Sequence, residues 1–172
     1  MSNKLRIHVS IRNANLDDLF KIYLVEKSSF DRPYSLDTLR WIIASKNSIV
    51  LVAEIERKIV GYVAGLIKGS VGHIVSIAVH PNFRGLGIGR KLLLSILEKF
   101  SELRLSRALL EVAVDNDIAI YLYKSSGFRV SRRLRNYYGD GLDAFLMVLD
   151  LGDTTTLLRY NKSKKIMTLQ ER

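Results

Sequence analysis

One segment limits the fold more than any other. A β-branched run from Ile74 to His80 stops at Pro81 and passes through Arg84-Gly85-Leu86-Gly87-Ile88-Gly89. It enters a stretch whose apolar residues Leu92, Leu93, Ile96, Leu97 and Phe100 recur at helical spacing. A strand feeding a helix through a glycine loop calls for an α/β layout. The same segment has a chemistry. The first N–H groups of a helix lack internal partners and carry the positive end of its dipole, so an anion is favoured there. Glycines let the backbone bend into a concave nest around that anion, and Arg84, Arg90 and Lys91 add positive charge. The plain alternative is a glycine-rich turn that only joins strand to helix. Two common nucleotide fingerprints are excluded. Gly89-Arg90-Lys91 is followed by Leu92, where a P-loop needs Gly-Lys-Ser/Thr. Glycines at 85, 87 and 89 misplace the third glycine of a dinucleotide loop.

The remaining chain supplies elements around this unit. Ile7 to Arg12 alternates like a strand. Asn15 to Ser28 reads as an amphipathic helix whose apolar positions are Leu16, Leu19, Phe20, Tyr23 and Leu24. After a break at 29–34, a second helix begins near Ser35, a good N-cap, and runs through Trp41. Ile49 to Glu54 and Ile59 to Lys68 form a hairpin around Glu56-Arg57-Lys58. Strands follow at Gly72 to His80, Ala108 to Val114, Phe128 to Leu134 and Leu142 to Leu149. The loop helix spans Gly87 to Leu103, and a short helix at Ala119 to Lys124 is closed by Gly127.

Length and composition fit this reading. The chain has 172 residues, suiting one domain over 1–150 with a basic, partly ordered appendage at 151–172. A hydrophobic fraction of 48% with 26% charged residues is enough to build a buried core. No apolar run approaches the roughly 18 residues of a membrane helix, and the N-terminus lacks a signal-peptide core. Cysteine is absent, so disulfides, thiolate metal sites and acyl-cysteine intermediates are impossible, and a cytoplasmic location is expected. No metal site is expected. The net charge of +10 attracts polyanions, such as a phosphorylated cofactor, RNA or a ribosome surface, without choosing among them.

Arg-x-x-Gly-x-Gly after a mid-chain strand resembles motif A of the GNAT acetyltransferases. The likeness extends to Leu110-Glu111-Val112, Asn116, Ala119, Leu122-Tyr123 and Gly127-Phe128. It also takes in Gly72-His73-Ile74-Val75-Ser76-Ile77-Ala78-Val79 and Tyr137-Tyr138-Gly139-Asp140-Gly141-Leu142-Asp143-Ala144. Together these are similar to the RimI and NatA-type protein N-terminal acetyltransferases, archaeal members included, over about residues 7 to 150. The chain departs from that pattern at Leu142, where the family commonly has Glu, and at Ala113, where it commonly has Arg.

The resemblance implies a single GNAT-like α/β domain. Its mixed, mostly antiparallel sheet is splayed at the cofactor strand, with helices on both faces. It implies acetyl-CoA as cosubstrate, held by Arg84, Gly85, Leu86, Gly87, Ile88, Gly89 and Arg90, by the main chain of Ile77, Ala78 and Val79, and by Asn116 and Tyr123. The side chains of Ile77 and Val79 read as core. It further implies Glu111 as the base, acting directly or through water, Tyr123 as the acid for the leaving thiolate, and His73 as a partner of Glu111. Phe30, Pro33, Tyr34, Tyr137 and Tyr138 would clasp the first residues of a peptide.

The residues also have plainer readings: Asn116 as an N-cap, Tyr123 as a core aromatic, Glu111 as a solvent-facing strand residue, and the other aromatics as loop and hairpin residues. The acceptor has a physical handle. An α-amine has a pKa near ~8 and lysine near ~10.4, so freeing lysine's lone pair at neutral pH costs about 3 kcal/mol more. A water-mediated carboxylate therefore suits an α-amine. A lysine or small-molecule amine is the alternative acceptor, and a non-catalytic acyl-CoA- or RNA-binding module is the alternative class.

Overall fold

The structure, a computed structural model, describes residues 8–152. The expected strand start at Ile7 and most of the expected basic appendage lie outside the described residues. The elements, in chain order, are β1 (Ser10–Asn13), a 3-10 turn (Leu16–Asp18), α1 (Leu19–Ser29), α2 (Leu36–Ala44), β2 (Ser48–Ile55), β3 (Lys58–Lys68) and β4 (Val71–Val79). They continue with a second 3-10 turn (Pro81–Phe83), α3 (Ile88–Glu102), β5 (Arg107–Ala113), α4 (Asp117–Ser125), β6 (Arg129–Gly139) and β7 (Leu142–Asp150). The strands form one sheet in the order β1-β2-β3-β4-β5-β7-β6. No helix among the described residues is long and apolar enough to cross a membrane. Two compact units divide the described chain, 8–65 with 76–96, and 66–75 with 97–152.

In the first unit, β1 pairs antiparallel with β2, from Ser10 opposite Glu54 to Asn13 opposite Leu51. Arg12 ties this pair to the following turn. Its guanidinium donates to Asp18 at 2.7 and 2.9 Å and to Glu54 at 2.7 Å. Asn15 caps the turn by accepting from the Asp17 N–H, while Asp18 accepts from the Asn15 N–H. This capping box starts the 3-10 turn, and α1 follows at Leu19, four residues after the Asn15 start that the periodicity suggests. The hairpin between β2 and β3 turns on Glu56 and Arg57, both with positive φ, as a two-residue turn matching the strand twist requires.

The buried face of α1 differs from the sequence expectation. Leu19, Ile22, Val25 and Glu26 are buried, whereas Leu16, Phe20 and Leu24 are exposed, Phe20 at 61%. Apolar residues surround this helix from Phe20 to Val25, so periodicity does not single out one stripe. The side that packs is decided by what it packs against. Ser35 caps α2 by accepting from the Thr38 N–H, as expected.

In the second unit, β4 and β5 are the parallel pair. Their ladder covers Val71 with Arg107, Gly72 with Ala108 and His73 with Leu109. β4 then runs on to Val79 and β5 to Ala113. Gly72 is fixed by packing, since a Cβ there would lie 2.5 Å from the buried Phe100 ring. β5 pairs antiparallel with β7, and β7 with β6. β6 is longer than expected and breaks register near its end. Leu134 faces Ala144 and Gly139 faces Leu142, so residues 135–138 stand opposite Asp143 alone. Asp143 holds this bulge together, accepting from the Asn136 N–H at 2.8 Å and from Arg133 Nε at 2.6 Å. α4 ends at Gly127, which has φ +99 and donates to the Lys124 carbonyl. Leu151 is buried, and its N–H donates to the Ser106 carbonyl.

Candidate active site

The glycine loop has the conformation an anion site needs. After the Pro81–Phe83 turn the chain passes Gly85 at φ +77 and Gly87 at φ +75 before α3 begins at Ile88. A Cβ on either glycine would meet nothing within 4 Å. These glycines are therefore required by backbone conformation, where a side chain would be strained, and not by crowding. Lys91 N–H donates back to the Gly87 carbonyl at 3.0 Å, so the amides of Ile88 and Gly89 come before that first helical bond. Ile88 itself is buried and anchors the helix start, while Arg84, Gly85, Leu86 and Gly87 are exposed and Gly89 and Arg90 half-exposed. Arg84 has a local partner as well: its Nε donates to the Val79 carbonyl at 3.1 Å.

β4 presents the expected main chain. The His80 N–H donates to Val60 of β3, and the Ala78 carbonyl lies on Gly61 of β3. Successive peptide groups of a strand alternate sides, so the amides of Ile77 and Val79 sit on the edge away from β3. Their side chains are half-buried, while Ile74, Ser76 and Ala78 carry the buried face. That corrects the reading of Ile77 and Val79 as core.

The first unit also holds a polar cluster that was not among the expected site residues. Glu26 is only 3% exposed. Its carboxylate accepts from the Tyr62 hydroxyl at 2.5 Å, the Ser76 hydroxyl at 3.3 Å and the Tyr34 N–H at 2.9 Å. Burial and the adjoining Glu26 charge hold the Tyr62 phenol far above its ordinary pKa. The signal was present: Glu26 ends the apolar run Ile22 to Val25, just as Glu111 sits in another apolar run. Of the expected acceptor loop, Phe30 is exposed, and Pro33 and Tyr34 are half-buried.

In the second unit the fold brings His73 and Glu111 together. His73 Nε2 lies 2.6 Å from Glu111 Oε2, with side chains 34% and 15% exposed. The register explains the meeting, since His73 is opposite Leu109, two residues before Glu111 on the same face of β5. Among the described residues, His73 is the one hydrogen-bond partner of the Glu111 side chain. No group of three or more His, Cys, Asp or Glu that could hold a metal occurs among the described residues.

Tyr123 is 5% exposed and packs edge-on against Phe128 at 5.9 Å between centroids. Burial first, and the nearby Tyr138 second, raise its pKa, so the phenol is protonated far beyond neutral pH. No hydrogen bond engages its hydroxyl among the described residues, yet no buried side-chain oxygen is left unsatisfied. The hydroxyl is therefore not fully sealed. Asn116 is the N-cap of α4, its Oδ1 accepting from the Ala119 N–H at 3.1 Å. The cap reading holds, and the amide nitrogen is left for any ligand contact. Tyr137 and Tyr138 are exposed on the β6 bulge with rings 5.0 Å apart at 90°. Tyr137 lies close enough to Glu111 for that charge to raise its pKa, after burial.

The strand, glycine loop and helix start define an α/β fold with an anion site at the head of α3. The chain belongs to the acetyltransferase (GNAT) family, whose model matches residues 16–128. GNAT acetyltransferases use acetyl-CoA, and the open glycine loop at the start of α3 fits its phosphates. An N-alpha-acetyltransferase of Sulfurisphaera tokodaii is 34% identical over 154 residues, covering 82% of this chain and 92% of that protein. The crystal structure of the ribosomal-protein-S18-alanine N-acetyltransferase from Escherichia coli superposes with a TM-score of 0.80 at 26% identity, covering 86% of this chain and 96% of that one. Ard1 from Thermoplasma volcanium gives a TM-score of 0.75 at 28% identity, covering 84% and 99%.

Proposed function

We propose that this N-acetyltransferase modifies the N-terminal α-amine of a protein by direct attack in a ternary complex. The observation that carries the reading is the His73–Glu111 pair, a half-sheltered carboxylate held by a single imidazole at 2.6 Å. Such a carboxylate keeps acceptor capacity for a water, which relays the proton from the attacking amine. His73 fixes the carboxylate and shares the water. Tyr123 donates a proton to the sulfur as the carbon–sulfur bond breaks. Its raised pKa keeps it protonated at neutral pH, so the proton is in place when negative charge builds on sulfur. The main chain of Ile77 to Val79 lies along the pantetheine and the acetyl carbonyl, where an amide on its free edge stabilises charge on the carbonyl oxygen.

Acetyl-CoA supplies the activated acetyl group. Residues 84–90 hold its phosphates, and the Asn116 amide nitrogen adds a contact. Phe30, Tyr34, Tyr137 and Tyr138 bind the first residues of the acceptor. The names of the relatives support an α-amine acceptor, and so does the energy argument against lysine. Ribosome contact through the basic surface fits the charge of +10. The test is mass spectrometry after incubation with acetyl-CoA and two peptides, one with a free N-terminus and no lysine, the other N-blocked with a free lysine. Acetylation of the first is expected. Acetylation of the second alone would overturn the reading.

A further inference from the structure

We propose that Glu26 is the positioning residue for acceptor binding, a clamp that closes the loop of Phe30 to Tyr34 at both ends. The inference rests on the reading above that this loop binds the acceptor peptide. Glu26 lies in the last turn of α1, and its main-chain carbonyl accepts the Phe30 N–H at 3.1 Å. Its side chain accepts the Tyr34 N–H at 2.9 Å. One residue therefore fixes the first and last peptide groups of the loop. Its other carboxylate oxygen is anchored by Tyr62 of β3 and Ser76 of β4, whose hydroxyls are themselves 2.7 Å apart. Glu26, Tyr62 and Ser76 are all buried, so the anchor is rigid.

A carboxylate accepts only, and here three donors converge on it, with no cation in the cluster among the described residues. A charge buried in this way is costly unless its donors are placed for it. An apolar residue would fill the volume without that cost, but it would leave the Tyr34 peptide unheld. The charge is thus spent on fixing the loop that carries Phe30 and Tyr34. Tyr62 and Ser76 are the fixed frame against which the loop is set, and Ser76 directly precedes Ile77 on β4.

The experiment measures steady-state kinetics of wild type and Glu26→Ala with an N-terminally free peptide, varying peptide and acetyl-CoA separately. The KM for peptide is expected to rise about tenfold or more, with kcat and the KM for acetyl-CoA within about twofold. A purely structural role would reduce the active fraction and so lower apparent kcat, leaving the KM for peptide unmoved. An unmoved KM for peptide, or an equal rise in both KM values, overturns the proposal. If wild type fails to acetylate the peptide at all, the underlying function is wrong, and that result is distinct. Amide hydrogen exchange on wild type keeps the test independent of whether the variant folds. The Tyr34 amide should exchange at least about tenfold more slowly than that of Asp31; equal rates overturn the clamp.

Discussion

Glu26 and Glu111 begin alike, each a carboxylate in an apolar run, and the fold treats them in opposite ways. Glu26, in the first unit, receives three donors and is sealed from solvent. Glu111, in the second, meets one imidazole and remains half-sheltered. A carboxylate has about four lone-pair sites. Filling most of them and excluding water gives a fixed charge that organises its neighbours. Leaving most of them open beside a partly exposed histidine leaves acceptor sites for a water or an amine. Satisfaction of the lone pairs, more than burial alone, separates a positioning carboxylate from a reactive one.

The contrast breaks first at Glu111. Glu111→Gln keeps the shape and removes the proposed base, and kcat should fall by about 10² to 10⁴ while acetyl-CoA still binds. Calorimetric titration with acetyl-CoA beside steady-state assay checks both halves. A variant that kept kcat and lost only peptide affinity would make Glu111 another Glu26. Tyr123→Phe should lower kcat by about 10², with a smaller loss when the leaving thiol is made more acidic, since a better leaving group needs less protonation. His73→Asn should cost about tenfold in kcat, less than Glu111→Gln, because it removes the partner and leaves the base. A loss as large as that of Glu111→Gln would mean the imidazole itself carries the proton.

The smallest effect concerns a third carboxylate. Asp18 has its pKa lowered below the ordinary 3.8, first by hydrogen bonds from Arg12. Its contribution to stability is therefore fully present above pH 3.8 and is lost as pH falls through the lower, folded-state value. Asp18→Asn should destabilise by about 1–2 kcal/mol at neutral pH, a range kept low because Arg12 is partly exposed. The difference from wild type should shrink on acidification below pH 3.8. Urea unfolding at neutral pH and near pH 3 checks it, and a constant difference would remove the ion pair from the explanation.

Legibility from the sequence followed the range of the interactions involved. The strand–loop–helix at 74–102 could be read because its signals are local: Pro81 ends one element, glycines at positive φ make the turn, and apolar spacing marks the helix. Asn116 could be read only as two alternatives, and the structure gives the cap. The buried face of α1 could not be read, because its apolar residues surround the helix. The β6 bulge was also hidden, since it depends on Asp143 reaching back to Asn136 and Arg133 across the hairpin.

By itself, the sequence determined the class of ligand: a glycine loop before an amphipathic helix favours an anion wherever it occurs, because backbone amides and the helix dipole come with local conformation. It also removed cysteine chemistry outright. What only the tertiary structure decided is which side chains share an environment. His73 and Glu111 are 38 residues apart and meet through strand register; Glu26 and Ser76 are 50 apart and meet in the core. The physical reason is that a carboxylate's character depends on how many donors reach it and how much water it keeps. Both quantities belong to the packed chain and to no single segment of it.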